Sequence, residues 1–226
     1  MIRAAAIALL LPIGAAAEAP GPVVVELFTS QGCSSCPPAD RLLSKLAERD
    51  DVIALALHVD YWDYIGWEDR FADPAYTKRQ RAYARARGER MIYTPQMVIG
   101  GTQNVVGTRP DEVLAALDAV ASAGPALSAR REGERIRIEA PALEVPQPLV
   151  VHLVRLDPAE TVAISRGENA GRVIDYTNIV TSWEALGVWD GTAPLALETA
   201  LMGDEPCVVL LQEPGPGAIH AAVKVN

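Results

Sequence analysis

Two stretches of the chain are apolar almost without a break: Val23-Val24-Val25-Glu26-Leu27-Phe28-Thr29 and Val52-Ile53-Ala54-Leu55-Ala56-Leu57-His58-Val59. Runs of this length without polar alternation predict strands covered on both faces, as parallel strands are. Between them Leu42, Leu43, Leu46 and Ala47 recur at helical spacing, with Arg41, Lys45, Glu48 and Arg49 on the other side. That pattern predicts an amphipathic crossover helix over 40–47, ending near Asp50-Asp51. A polar helix is expected over 74–87. Residues 97–99 and 104–106 flank Gly100-Gly101 and predict a hairpin, and 110–120, with Val113, Leu114 and Leu117 inward, predicts a closing helix. The expected order is βαβαββα.

From Gly124-Pro125 onward the pattern changes to short strands between Gly, Pro and Asp clusters. Strands are expected at 135–139, 149–156, 162–164, 173–180, 207–212 and 218–225, which predicts an all-β, sandwich-like second domain. The expected division is a leader over 1–17, an α/β domain over 18–123 and a β domain over 124–226.

The leader is read from Arg3, the apolar run 4–13 and Gly14-Ala15-Ala16-Ala17, the order of a secretory signal cleaved after Ala17. Its apolar run is shorter than the roughly 20 residues of a membrane span, so a secreted or periplasmic protein that does not span the membrane is expected. The formal net charge of −9 argues against nucleic acid as a partner, because a phosphate backbone would be repelled.

Only three cysteines occur, Cys33, Cys36 and Cys207. Cys207 opens an apolar, strand-like run and reads as a buried, unreactive thiol. Cys33-Ser34-Ser35-Cys36 falls between the first strand and the first helix, and a helix start favours thiolate over thiol. So short a loop gains little from a structural disulfide. Three uses remain open at this point: thiol–disulfide exchange, a metal-binding dithiol and a structural bridge. In the exchange reading Cys33 attacks from a solvent-reachable turn and Cys36 resolves, with Pro37-Pro38 delaying the helix start until after both cysteines.

The βαβαββα order, the Cys-x-x-Cys at the first helix start and Thr94-Pro95 before the third strand together resemble a thioredoxin fold over roughly residues 22–122. The segments Val25–Asp40, His58–Asp63 and Tyr93–Gln96, with Gly167–Arg172 and Tyr176-Thr177-Asn178, resemble more closely an exported bacterial family of unknown function, domain-of-unknown-function family 1223. The resemblance implies a thioredoxin-like α/β fold, bacterial export and a cis Pro95 beside the cysteines, with Thr94 offering backbone groups to an extended substrate. It brings no activity with it.

Further candidates have two readings each. Glu26 is a buried proton acceptor or an ion-paired carboxylate; thioredoxins place an acid one residue nearer the cysteines, where Leu27 stands here. His58 and Asp60, at the end of the second strand, are a proton shuttle or a satisfied histidine and a loop cap. Tyr61, Trp62, Tyr64 and Trp67 are a substrate-gripping lid or local core. Arg79, Arg81, Arg85 and Arg87 read as a solvated helix face, and His152, Trp183, Trp189 and His220 as core or surface. Glu168-Asn169-Ala170-Gly171 reads first as a turn and second as a site facing the dithiol.

Three functions follow. The first is a cofactor-free, exported thiol–disulfide oxidoreductase acting on protein or small-molecule thiols with an unidentified redox partner. The second is a Cu(I)-binding protein using the same dithiol, with no dedicated metal-ligand set. The third is a non-enzymatic binding module on the same scaffold.

Overall fold

The two apolar runs become neighbouring parallel strands, β1 (Val23–Thr29) and β2 (Val52–His58), joined through α1 (Pro37–Ala47). In this computed structural model, which describes residues 21–120 and 126–225, a short 3-10 turn (Asp63–Ile65) then leads to α2 (Pro74–Ala86). The hairpin β3 (Gln96–Ile99) and β4 (Gln103–Val106) and the helix α3 (Pro110–Ala119) complete the first half. The expected leader and the Gly124-Pro125 boundary lie outside the described residues.

Alternation along β1 and β2 explains their continuous apolarity. Val25, Leu27, Ala54 and Ala56 meet α1 and α3 through Ala39, Leu43, Val113 and Leu117. Val24, Phe28, Ile53, Leu55 and Leu57 meet α2 through Tyr76 and Tyr83 on the opposite face. A strand between two helical layers has no polar side to show.

The second half contributes β5 (Ser128–Glu132), β6 (Arg135–Ala140), β7 (Leu149–Ala163), β8 (Val173–Trp189), β9 (Leu195–Ala200), β10 (Cys207–Gln212) and β11 (Ile219–Lys224). Here the structure corrects the expectation of a self-contained β sandwich. Among the described residues, one eight-stranded sheet runs β11-β10-β7-β8-β2-β1-β3-β4 through both halves, and β5-β6-β9 form a sheet of their own. That small sheet packs Ile136 and Ile138 onto Leu149, Val151, Leu153, Val209 and Leu211, so one layer of the sandwich is the shared sheet. The reason is the open edge of β2, whose backbone groups need partners. β8 lies parallel to it with Ala56 opposite Ile179, and Asn178 (φ 50°) donates its side-chain amide to Ala54 O at 3.1 Å.

The strands expected at 149–156 and 162–164 are one strand, β7, and β8 runs on from the expected 173–180 to Trp189. Pro158 does not end β7, because it is exposed and has no paired position on β8.

Candidate active site, a covered disulfide at the start of α1

Past Thr29, the turn Ser30-Gln31-Gly32 hands the chain to a second tight turn, in which the Cys33 amide donates to Ser30 O (3.1 Å) and the Cys36 amide to Cys33 O (3.2 Å). Cys33 and Cys36 are joined as a disulfide with their Cα atoms 5.4 Å apart. Cys36 caps α1, which begins at Pro37, after both cysteines as Pro37-Pro38 imply and three residues ahead of the expected 40–47. Neither proline has an N–H, and the next two amides, Ala39 and Asp40, both bind Cys36 O (2.8 and 3.1 Å). The helix dipole therefore acts on the sulfurs without hydrogen bonds from these first-turn amides.

The expected solvent-reachable turn is corrected by the structure. Ser34 and Ser35 are exposed, but Cys33 is 1% and Cys36 0% exposed. Two distant segments pack onto this turn. Asn169, on the loop between β7 and β8, is buried and donates its amide to Gln31 O and Cys33 O, both at 2.9 Å. The aromatic segment after β2 packs against the same turn, with Trp67 beside Gly167 of the Asn169 loop. A Cβ on Gly32 would lie 3.1 Å from Trp62 Cβ and 3.3 Å from Ile65 Cδ1, so glycine lets this segment approach. Trp67 Nε1 donates to Gln31 Oε1 and Trp62 Nε1 to Thr94 Oγ1, each at 2.8 Å. Tyr64 stands out into solvent, 82% exposed.

The Thr94–Pro95 peptide is cis. Pro95 sits near Ala39, three residues after Cys36: a Cβ on Gly107 would lie 3.0 Å from Ala39 Cβ and 3.2 Å from Pro95 Cβ. Trp62, Trp67, Thr94 and Pro95 thus gather around the dithiol turn or the first turn of α1. Tyr61 belongs to the α2 side, where its hydroxyl donates to Gln80 Oε1 (3.2 Å) and burial pushes its pKa up to about 12. Asp60 accepts from Thr77 of α2 and fastens that loop.

Glu26 does not join the cysteines. It lies on the α2 face of β1, where Arg79 Nε donates to it at 2.6 Å and the Tyr83 hydroxyl also donates. Arg79 is therefore not part of a solvated face, although Arg81 and Arg85 are exposed. It also donates to Gln212 Oε1 (2.9 Å) and lies 3.7 Å over the Trp183 ring. His152 meets that ring edge-on at 5.8 Å, so His152 and Trp183, scattered in sequence, share one wall of an open cleft of about 540 Å³ beside α2. Burial and the charge of Arg79 hold the His152 pKa down at about 4. Cys207 is buried, which raises its pKa, and its thiol faces Glu205 O.

His58 is on the α1 face, fully buried, with Nδ1 2.7 Å from Asp69 Oδ2. The same carboxylate oxygen accepts from the Gln31 backbone N–H at 2.8 Å. Asp40, in the first turn of α1, is buried and accepts from Thr29 Oγ1 at 2.8 Å. Burial raises its pKa to about 7, against the opposing pull of His58 and the Thr29 hydrogen bond. Tyr176 packs its ring 5.0 Å from that of His58, and Thr177 Oγ1 meets Ser44 of α1 at 2.9 Å. Among the described residues no group of three or more His, Cys, Asp or Glu is arranged to hold a metal ion.

Asp40, Asp69 and Gln31 escaped sequence reasoning, whereas Asn169 lies in the segment 168–171, and its bonds to Gln31 O and Cys33 O agree with the second reading of that segment, a site facing the dithiol. Asp40 carried a signal, since helical spacing assigns it to the buried side of α1 one turn after Cys36. Asp69 and Asn169 reach the site only through tertiary folding.

The crystal structure of protein AGR_C_4864 from Agrobacterium tumefaciens is similar at 33% identity, with a TM-score of 0.80 over 92% of this chain and 95% of that one. HBP35 of Porphyromonas gingivalis is similar in fold, with a TM-score of 0.61 at 16% identity over 92% of this chain and 75% of that one. No curated protein matches the chain. The model of one family, described as "Protein of unknown function (DUF1223)", matches residues 24–212, and the chain belongs to that family.

Proposed function

We propose that this protein is an exported thiol–disulfide oxidoreductase of thioredoxin-like fold, with Cys33 and Cys36 as its exchanging pair. The observation that carries the reading is the bridge itself, closing a Cys-x-x-Cys turn at the start of the first helix of a βαβαββα unit. The cis Thr94–Pro95 peptide near that turn and the signal-like residues 1–17 support it. A substrate thiolate attacks Cys33 Sγ and the electron pair of the bridge passes to Cys36. The substrate's second thiolate then displaces Cys33, so a dithiol leaves as a disulfide and the pair is left as two thiols. The reverse sequence reduces a substrate disulfide. Either direction requires the buried turn to open enough for a substrate sulfur to reach Cys33, and the exposed Ser34 and Ser35 are the part of that turn a substrate meets first.

Wild-type protein is expected to accelerate insulin reduction by dithiothreitol, and Cys33→Ser to abolish the effect. Equal activity of the two proteins would refute the proposal. The burial of Cys33 favours a second reading, a binding module whose bridge only fixes the turn. A bridge that resists reduction far below the thioredoxin range of about −270 mV would favour that module.

A further inference from the structure

Beneath the disulfide, on the α1 side of the sheet, lies a set of buried polar groups that the exchange chemistry above does not use. Asp40 follows Cys36 by one turn of α1, so the two side chains share a helix face. Asp40 is 4% exposed; Oδ1 accepts from Thr29 and Oδ2 has no hydrogen-bond partner in the protein. Thr29 and His58 are register partners on neighbouring strands, so their side chains project to the same face. His58 is held through Nδ1 by Asp69, while its buried Nε2 also has no partner. Gln31 Nε2 and Asn169 Oδ1 complete a group of four such atoms, half of the eight found among the described residues. Buried polar atoms are nearly always paired, so four unpaired ones on residues around the dithiol turn call for a partner beyond the packed side chains, whether an ordered water or a proton in transit.

We propose that Asp40, backed by the His58–Asp69 pair, is the buried group that exchanges a proton with Cys36 when the bridge opens and closes. The inference rests on the exchange reading above. When a substrate thiolate bonds to Cys33 and the Cys33–Cys36 bond breaks, the leaving electron pair resides on Cys36, which is sealed from water. The Asp40 carboxyl protonates that sulfur and becomes a carboxylate, which regains its proton from solvent. In the closing direction the Asp40 carboxylate takes the Cys36 proton as that sulfur attacks Cys33. A carboxyl titrating at about 7 suits both roles. The charged and titratable groups facing it are His58 from β2, Asp69 from the segment before α2, Tyr176 from β8 and Arg41 from α1. Burial, with the charges of Asp40 and Asp69, raises the Tyr176 pKa well above its ordinary range, so its proton stays in place.

The test is reduction of the full-length oxidised protein by dithiothreitol, followed in stopped flow at pH values on both sides of neutrality, for wild type and Asp40→Asn. Wild type is expected to show an inflection near 7 that the variant lacks, and the variant to react on the order of a hundredfold more slowly where Asp40 carries its proton. An Asp40→Asn rate and pH profile equal to wild type overturns the inference and leaves the exchange reading intact. A bridge that opens only on unfolding overturns both. Should the variant fail to fold, carbon-13 titration of the wild-type Asp40 carboxyl decides: a midpoint that differs between oxidised and reduced protein supports the coupling, and an identical one overturns it.

Discussion

Holding a carboxyl in that site has a thermodynamic consequence that Asp40→Asn isolates. The folded chain keeps the Asp40 proton up to about pH 7, chiefly because of burial, whereas the exposed group releases it near 3.8. Below 3.8 both states are protonated and the residue contributes nothing to the pH dependence. As pH rises from there to about 7, the unfolded chain ionises while the folded chain does not, so stability falls; above 7 the loss is complete and constant. A gap of about three units at about 1.4 kcal/mol each sets a ceiling of about 4 kcal/mol, and relaxation of the site brings the expected loss to about 2–4 kcal/mol. Asn cannot ionise, and its side-chain oxygen still accepts from Thr29. Urea unfolding of the oxidised proteins should therefore find the variant more stable by about 2–4 kcal/mol near pH 8, with the difference vanishing near pH 4. A difference that does not change with pH, or a variant less stable at both values, refutes the argument. Stability surrendered at one acidic side chain is the usual mark of a group kept for chemistry.

Two other substitutions separate the two faces of the sheet. Asn169→Ala leaves Gln31 O and Cys33 O without their shared donor; unfolding should show a loss of about 1–3 kcal/mol, and dithiothreitol should open the bridge faster than in wild type. An unchanged reduction rate would mean that Asn169 does not hold the turn. Arg79→Ala strands the buried Glu26 on the α2 side, with an expected loss of about 3–5 kcal/mol by urea titration and an unaltered rate of bridge reduction. A slowed bridge in that variant would show that Glu26 does serve the cysteines.

The elements legible in the sequence are those whose local pattern agrees with their surroundings. β1 and β2 show continuous apolarity because both faces are covered, and α1 starts where Pro37 can sit without a missing hydrogen bond. β5 and β9 were hidden for the opposite reason. Ser128-Ala129-Arg130-Arg131-Glu132 and Leu195-Ala196-Leu197-Glu198-Thr199-Ala200 carry charged or helix-favouring residues, and pairing with β6 decides their conformation. The joining of the halves combines the β2–β8 pairing with Asn178, in a left-handed conformation, reaching Ala54, and no periodicity records either. The candidate site divides in the same way. Cys33, Cys36 and Pro95 are visible as a motif, whereas 168–171 is legible only as a second reading, because Asn169 reaches Cys33 O from 136 residues away. Glu26 is legible as a residue of β1, but the identity of its ion-pair partner depends on how α2 lies across the sheet.

The shared sheet bears on how the chain reaches its native state. A newly made polypeptide that has emerged only as far as α3 has an unclaimed strand, β2, apolar along nearly its whole length, with nothing beside its outer edge until β8 arrives more than a hundred residues later. Such a half-made product is a template for strangers, and its safety during synthesis depends on whatever occupies that edge in the interval.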